Sequence, residues 1–277
     1  MKKIAVFNQK GGVGKTAVTV NLASCFADYF KRKVLVIDCD SQANCSTYLL
    51  ADEEVTGYTL THYIDGILKG EPIERQKIIN SSCYIKRVKK NIRDKQSKYI
   101  FREFHVDVIP SDSNISFLDV ADHKMLGNLL KDMESDYDYC LMDCPPHLSD
   151  LAINALSTAD YVLVPATPTK DSLGGYSEIL EAIDSLKNNG VNPNLEMLGV
   201  VFNRVDMKRS IDRAIIQMCH ETVGREICKT MISESTLVEQ ANMLARPLNA
   251  CAPRQKVSLE FKALAKELDT KIRIGRV

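Results

Sequence analysis

The chain has 277 residues, of which 45% are hydrophobic and 26% are charged, and its 36 Lys and Arg balance 36 Asp and Glu. This composition is typical of a globular protein, and no apolar run approaches the roughly 20 residues that a membrane helix needs. The N-terminal MKKIAVFNQKGG lacks the apolar region and cleavage site of a signal peptide. Nine cysteines without paired spacing favour reduced thiols in the cytoplasm over a disulfide framework. In the absence of linkers or repeats, we expect a single domain over residues 1–277.

Short apolar runs alternate with helical patterns along the chain. The predicted strands cover residues 2–8, 33–40, 106–110, 137–146, 159–166 and 196–205. The predicted helices cover residues 16–30, 114–133, 172–187 and 257–272. The strands are almost continuously apolar, which is typical of strands buried on both faces of a parallel sheet. The alternation therefore predicts an α/β fold, in which helices flank both faces of a doubly wound, mostly parallel sheet.

Polar clusters stand where four of the predicted strands end. They are residues 8–16, residues 38–40, Asp143 and Asn203. In a doubly wound sheet, ligands bind at the carboxyl ends of the strands. We therefore expect these clusters to converge on one ligand site.

The first cluster, NQKGGVGKT at residues 8–16, is close to the phosphate-loop pattern G-x-x-x-x-G-K-[ST]. Gly14, Lys15 and Thr16 satisfy the end of the pattern, whereas Gln9 replaces its first glycine. A strand precedes the loop and a helix follows it, so backbone N–H groups and the helix N-terminus can surround a phosphate. Lys15 would reach the β- and γ-phosphates, and the Thr16 hydroxyl would bind Mg²⁺. The nucleotide-binding residues predicted here are Gly11, Gly12, Val13, Gly14, Lys15, Thr16 and Ala17.

The stretch Lys-Gly-Gly-Val-Gly-Lys-Thr resembles the deviant Walker A motif of the ParA/MinD family of P-loop ATPases, which belong to the SIMIBI class. The resemblance implies an ATPase that uses ATP and Mg²⁺ and forms a nucleotide-sandwich homodimer. It also implies that Lys10 reaches the phosphates of the ATP bound in the partner subunit, while Lys15 serves its own nucleotide. A second cation would spread the charge that develops on the phosphoryl oxygens and would make dimerisation depend on nucleotide.

Two further stretches resemble the metal-binding segments of the family. VLVIDCDSQANCS at residues 34–46 resembles switch I, although Ser41 replaces the usual proline, and it places Asp38 near the metal shell and Asp40 beside the attacking water. YDYCLMDCPPHLSDLAINAL at residues 137–156 resembles the Walker B and switch II region, in which Asp143 would hold Mg²⁺ through water. Taken alone, Asp38 and Asp40 could equally be capping carboxylates. The resemblance thus implies the metal residues Thr16, Asp38 and Asp143 and the catalytic residues Lys10, Lys15 and Asp40.

The adenine side resembles the family at two places. In VVFNRVD, residues 200–206, Asn203 would read the base edge with Arg204 beside it, and a turn-forming role is the alternative for Asn203. Pro247, within ARPLNACAP, stands where the family closes main chain over the adenine. Cys140 and Cys144 flank Asp143, but they lack the glycine-flanked pattern of iron–sulfur ligands and are predicted to be buried structural thiols.

A basic insertion, at roughly residues 71–104, interrupts the resemblance. Residues 75–103 hold ten Lys and Arg against two Asp and Glu. Basic side chains interspersed with aromatic ones suit a nucleic-acid backbone, and a solvated helical excursion is the alternative. In ISESTL, residues 232–237, the arginine that relatives often carry is missing, so the insertion could supply the lost charge. The predicted DNA contacts are Lys86, Arg87, Lys89 and Lys90 in the insertion and Lys208, Arg209 and Arg213 after the strand at 196–205.

These features favour a ParA-type partition ATPase in the cytoplasm, associated with the nucleoid. ATP would drive a homodimer that binds non-specific DNA, and a ParB-like centromere-binding partner would stimulate its slow hydrolysis of ATP to ADP and phosphate. A MinD-like membrane switch is one alternative, but the tail LDTKIRIGRV has few of the bulky apolar residues of a membrane-binding helix. The others are an adaptor ATPase that positions cargo without binding DNA, and a small-molecule kinase or ligase, which has no evident use for Lys10.

Overall fold

The computed structural model describes residues 1–50, 57–90, 98–120, 122–170 and 172–275, with the backbone alone at 87–90, 98–99 and 172–174. The strands within these residues are β1 (Lys2–Val6), β2 (Val34–Asp38), β3 (Asn80–Lys90), β4 (Lys98–Ile109), β5 (Tyr139–Asp143), β6 (Tyr161–Ala166) and β7 (Glu196–Phe202). They form one sheet in the order β3-β4-β2-β5-β1-β6-β7. Each pairing is parallel except that of β3 with β4. The predicted doubly wound, mostly parallel sheet is confirmed.

Helices pack on both faces of this sheet. The α-helices of the described residues are α1 (Lys15–Phe30), α2 (Asn44–Leu50), α3 (Leu60–Lys69), α4 (Met125–Lys131), α5 (Asp150–Thr158), α6 (Ser172–Asn188), α7 (Ser210–Val223), α8 (Thr236–Met243), α9 (Leu248–Cys251) and α10 (Lys256–Ile274). One apolar cluster joins the sheet to α1 and α10, and the other joins it to α3 through α7. None of the described helices combines the length and the apolar character needed to cross a bilayer.

Strand β2 shows why the strands are apolar along their whole length. Val34 and Val36 face the cluster of α1 and α10, whereas Leu35 and Ile37 face the opposite cluster. Successive side chains of a strand point to opposite faces, so a strand covered by helices on both sides needs apolar residues at every position. This two-sided burial produces the continuous apolar runs seen in the sequence.

The predicted helix at residues 114–133 is wrong. A 3₁₀ turn at Ser113–Phe117 opens this region, and only Met125–Lys131 is α-helical. Asn154 of α5 accepts a hydrogen bond from the Leu126 N–H (3.0 Å) and donates to the carbonyl of Asp122 (2.6 Å). These tertiary hydrogen bonds use the Leu126 N–H and the Asp122 carbonyl, which in a continuous helix would form hydrogen bonds within the helix itself.

Most described residues of the basic insertion form strands instead of the helical excursion of the alternative interpretation. After a 3₁₀ helix at Arg75–Ile78, β3 and β4 form an antiparallel β-hairpin that widens the sheet, with pairing from Asn80–Val108 to Lys90–Lys98. The predicted strand at 106–110 therefore begins earlier, at Lys98. On one face of the hairpin, Tyr84 and Phe104 pack into the cluster of α1 and α10. This burial ties the hairpin to the core of the sheet.

Candidate nucleotide-binding site

A cavity of about 560 Å³ opens at the carboxyl edge of the sheet, within the size range of small-molecule sites. The loop before α1 lines one side with Gly11, Gly12, Gly14, Lys15, Thr16 and Ala17. Asp40, Asn203 and Arg204 line other parts of the wall. Polar residues from the ends of different strands therefore meet at this cavity, as expected from the sequence.

Gly14 shapes the loop because its backbone adopts a left-handed conformation, with φ of +91°. A Cβ atom built there would stand 2.1 Å from Nδ2 of Asn203. A side chain at position 14 would therefore be strained in its backbone and would also clash with the amide of Asn203. The Gly14 carbonyl accepts the first helical hydrogen bond of α1, from Val18 N–H at 2.9 Å.

Lys15 lies largely buried beneath the loop. Its ammonium donates to the backbone carbonyls of Asn8 (3.0 Å) and Lys10 (3.2 Å). Burial lowers the pKa of Lys15, and the nearby charges of Asp143 and Asp40 oppose that shift. The ammonium thus stands preorganised at the base of the loop, next to the cavity.

Asp143 and Asp38 form the acidic floor beside the loop. Asp143 accepts hydrogen bonds from the hydroxyls of Thr16 (2.7 Å) and Thr19 (2.9 Å), and Asp38 accepts from the Ser46 hydroxyl (2.7 Å) and N–H (2.8 Å). Both carboxyls are buried, and burial raises the pKa of Asp38 to about 6 and that of Asp143 to about 7. The charge of Asp38 contributes to the shift of Asp143.

The donor set of this floor fits a hard divalent cation. Two carboxylates and the Thr16 hydroxyl supply oxygen atoms, which Mg²⁺ prefers. The proximity of two buried carboxyls is costly when both are ionised, and a divalent cation between them would relieve that cost. Thr16, Asp38 and Asp143 are thus brought together as predicted, and their role as metal residues stays a prediction.

Asp40 extends from the same strand end into the cavity. Its N–H donates to Asp38 (3.1 Å), and its carboxylate accepts from the Gln42 N–H (3.0 Å). These bonds hold the turn after β2 with the Asp40 side chain among the residues that line the cavity. Its predicted role beside an attacking water is compatible with this position and remains a prediction.

Lys10 folds back onto its own chain at the start of the loop. Its N–H donates to the Asn8 side chain (2.9 Å), and its ammonium donates to the Thr169 hydroxyl (3.0 Å) in the loop after β6. Asn8 in turn donates to the Pro165 carbonyl in β6 at 2.8 Å. The predicted action of Lys10 on a partner subunit's nucleotide would therefore require this ammonium to leave Thr169.

Asn203 and Arg204 fasten the loop from the end of β7. The buried Asn203 amide donates to the Val13 carbonyl (2.8 Å), and Arg204 donates to the Gly12 carbonyl (3.3 Å). Arg204 does so from a left-handed conformation, with φ of +57°. Both residues line the cavity, and the hydrogen bond from the Asn203 side-chain amide to the Val13 carbonyl is a contact that sequence reasoning did not include.

The structure does not bring Pro247 to this cavity. Pro247 is buried at the start of α9, and within the described residues it is not part of the cavity wall. The segment Ser233–Thr236 and the first turns of α8 form that part of the wall instead. Ser235 caps α8 by accepting from the Leu237 N–H at 3.3 Å. A serine preceding a helical pattern is the available sequence signal for this segment.

The prediction that Lys86 contacts DNA is wrong. Lys86 is buried, forms an ion pair with the buried carboxylate of Asp28 in α1 and lies 4.2 Å from the centre of the Tyr29 ring. A charge held inside the protein cannot contact a phosphate backbone, so Lys86 is a structural residue. The side chains of Arg87, Lys89 and Lys90 lie outside the described residues.

The second predicted basic cluster lies on the surface at the start of α7. Lys208, Arg209 and Arg213 are exposed. Arg209 forms an ion pair with Glu234 (2.9 Å), and Arg213 donates to the carbonyls of Met207 (2.6 Å) and Lys208 (3.0 Å). The cluster therefore lies near the cavity wall, and Glu234 of that wall partly neutralises the charge of Arg209.

Cys140 and Cys144, which flank Asp143, are buried in the core as predicted. Burial raises the pKa of the Cys140 thiol to about 12 and also raises that of Cys144. Neutral thiols of this kind are inert packing groups.

Comparison with known proteins connects this geometry to a family. A family model described as an AAA domain matches residues 1–197. The sporulation initiation inhibitor protein Soj of Bacillus subtilis is 27% identical over 274 residues, covering 96% of this chain and 98% of Soj. The Cyanothece McdA–ATP complex superposes with a TM-score of 0.77 at 23% identity, covering 97% of this chain and 96% of McdA. MinD of Pyrococcus horikoshii with Mg-ADP gives a TM-score of 0.73 at 21% identity, covering 99% and 98%.

Proposed function

The chain belongs to the ParA/MinD family of AAA-domain ATPases, and from this membership we propose that it is a ParA-type partition ATPase that binds ATP and Mg²⁺. The observation that carries the proposal is that Lys15 and Thr16 line the cavity while Thr16 donates to Asp143, the register partner of Asp38. Two of the similar solved structures hold ATP or Mg-ADP, which supports the choice of ligand.

In this proposal, the residues in and beside the cavity have distinct tasks. The loop N–H groups and the Lys15 ammonium bind the phosphates of ATP. Thr16, Asp38 and Asp143 hold Mg²⁺, which when bound neutralises charge on the phosphate oxygens. Asp40 orients the water that attacks the γ-phosphate. The expected hydrolysis is slow, as the resemblance to the ParA/MinD family implies.

The proposed switch is a nucleotide-dependent homodimer. Lys10 leaves Thr169 and reaches the phosphates of the nucleotide in the second copy, where its charge stabilises the transition state. Dimerisation then depends on bound ATP and ends with hydrolysis. The position of Lys10 in the phosphate loop, five residues before Lys15, supports this role.

The dimer binds non-specific DNA at the nucleoid, and a ParB-like partner stimulates its ATP hydrolysis. The support is the exposed basic cluster of Lys208, Arg209 and Arg213 beside the cavity wall. Two copies of this cluster on one dimer would give the multiple phosphate contacts on which salt-sensitive DNA binding depends.

An adaptor ATPase that positions cargo without DNA is the second candidate, and one observation favours it. Glu234 pairs with Arg209 and so removes part of the positive charge from the cluster, while Lys86 is withdrawn into the core. An adaptor would use the same ATP-dependent dimer and a different binding surface. The two candidates therefore differ in a single measurable property, the affinity for DNA.

Retention of non-specific duplex DNA with ATP, compared with ADP, tests the proposal. We expect retention with ATP alone, and a loss of at least about tenfold in affinity for Lys208→Glu together with Arg213→Glu. Lys266→Glu, which reverses one positive charge on the exposed face of α10, is the control. Equal retention with the two nucleotides, or none with either, would contradict a partition role and favour the adaptor.

A further inference from the structure

The outer face of the β3–β4 hairpin carries a cysteine, a histidine and a glutamate side by side. Cys83 and His105 are direct register partners on the two strands, and Glu103 lies two residues from His105 on the same face. The ligand atoms of the three side chains all lie within 4.8 Å of one another, and all three residues are exposed. Glu103 and His105 already share a hydrogen bond of 2.8 Å between Oε1 and Nε2.

These three donors match the preferences of zinc. A thiolate and an imidazole favour Zn²⁺ over Mg²⁺ or Ca²⁺, and a carboxylate is a common third ligand. Tetrahedral bonds of about 2.0–2.3 Å put neighbouring donor atoms roughly 3.5 Å apart. Rotation of exposed side chains can close the present spacing to that value, because no buried packing has to change. We propose that Cys83, Glu103 and His105 form a mononuclear zinc site with water as the fourth ligand.

The charges around the site favour a soft cation that these side chains coordinate directly over a cation held by electrostatic attraction alone. With the Cys83 thiol deprotonated on binding, a thiolate and a carboxylate neutralise Zn²⁺, and the His105 imidazole stays neutral. The cleft that contains Glu103 and His105 is lined by the basic Lys31, Arg32 and Lys33 as well as by the acidic Asp107 and Asp136. Its acids are thus matched by basic residues, which disfavours a cation held by attraction alone. Glu103 is also one of only two acidic residues in the strongly basic sequence at 75–103.

The site is separate from the nucleotide cavity. The parallel pairing of β4 with β2 begins at Asp107–Leu35, so His105 and Glu103 lie beyond the amino end of β2, at the opposite end of the sheet from Asp38. A metal there would clamp the two strands of the edge hairpin to each other. It would stabilise the folded chain by a free energy that grows with the logarithm of the ratio of the metal concentration to its dissociation constant.

Titration of the reduced, nucleotide-free protein with Co²⁺ tests the site. Cobalt bound by a thiolate gives a near-ultraviolet charge-transfer absorption that oxygen ligands do not give, so metal at the nucleotide cavity cannot imitate it. We expect one equivalent of thiolate-bound Co²⁺ in the wild type, displaced by Zn²⁺. Cys83→Ser should abolish the absorption, and His105→Gln should weaken binding by at least about tenfold.

Cys251 provides a matched control, because it is the other exposed cysteine of the described residues. Cys251→Ser should keep the full absorption. Absence of the charge-transfer absorption in the wild type, its survival in Cys83→Ser or its loss in Cys251→Ser would each overturn the proposal. ATP binding by Cys83→Ser should equal that of the wild type, so failure of the zinc site and failure of the proposed ATPase function remain distinguishable.

Discussion

Asp38 and Asp143 are register partners at the carboxyl ends of β2 and β5, and the side chains of both are buried. Parallel pairing puts two carboxyls on neighbouring strands at one edge, next to the hydroxyl of Thr16. Burial raises the pKa of each above the ordinary value of an aspartate, and the charge of Asp38 adds to the shift of Asp143. The same arrangement that makes this pair costly when ionised makes it suitable for a divalent cation.

The stability of the metal-free protein should therefore fall as pH rises. The folded chain holds protons on these carboxyls that the unfolded chain releases above a pH of about 4. Their stabilising contribution is complete below that value and is lost as pH rises through the folded values of about 6 and about 7. Denaturant unfolding in EDTA, at pH values from 4.5 to 8, should show this loss, and Mg-ADP should offset it at the upper end.

Asp143→Asn should flatten that pH dependence, because an amide does not titrate. Asp136→Asn, at an exposed aspartate, is the control and should retain the wild-type slope. A parallel loss of stability in the wild type and Asp143→Asn would show that other groups cause the effect.

The two threonines that bind Asp143 should differ in function. Thr16 lines the cavity, whereas Thr19 is fully buried and also donates to the Lys15 carbonyl at 3.0 Å. Thr16→Ala should remove the Mg²⁺-dependent gain in ATP affinity, and Thr19→Val should keep that gain while losing about 1–3 kcal/mol of stability. Titrations of a fluorescent ATP analogue with Mg²⁺ and with EDTA measure the first effect. An undiminished Mg²⁺ effect in Thr16→Ala would contradict its assignment as a metal residue.

Lys86 should behave as a structural residue. Its removal in Lys86→Met leaves the buried carboxylate of Asp28 without its cation, which costs about 3–5 kcal/mol of unfolding free energy. The double variant Asp28→Asn with Lys86→Met should recover much of that loss. Lys77→Met, at an exposed lysine of the same basic segment, should change stability by less than about 0.5 kcal/mol. Equal effects of Lys86→Met and Lys77→Met in denaturant unfolding would contradict a buried ion pair.

The sheet and the phosphate loop were predictable because their signals are local. Continuous apolar strands, a glycine-rich loop and the carboxylates after β2 and β5 each follow from residues adjacent in sequence. Parallel pairing then brings the strand ends together without any further information. Apart from the capping serine before α8, the remaining features depend on long-range contacts.

Three such features depend on residues far apart in the chain. The helix predicted at 114–133 is interrupted by hydrogen bonds between its backbone and the Asn154 side chain, and residues 233–236 stand in the cavity wall where Pro247 was predicted. The basic charge of residues 75–103 suggested a solvated surface, whereas Lys86 is turned inward by Asp28, more than fifty residues earlier. Composition does not reveal which lysine of a basic segment has a buried partner.

The role of Lys10 is the central claim, and analytical ultracentrifugation of Lys10→Ala with ATP tests it most directly. The variant should bind ATP nearly as tightly as the wild type, because Lys15 and the loop are intact. It should remain monomeric with ATP, under conditions in which the wild type dimerises, and Lys170→Ala, beside the Thr169 partner, should dimerise normally. Dimerisation of Lys10→Ala with ATP, together with hydrolysis at the wild-type rate, would contradict a lysine that acts across the dimer.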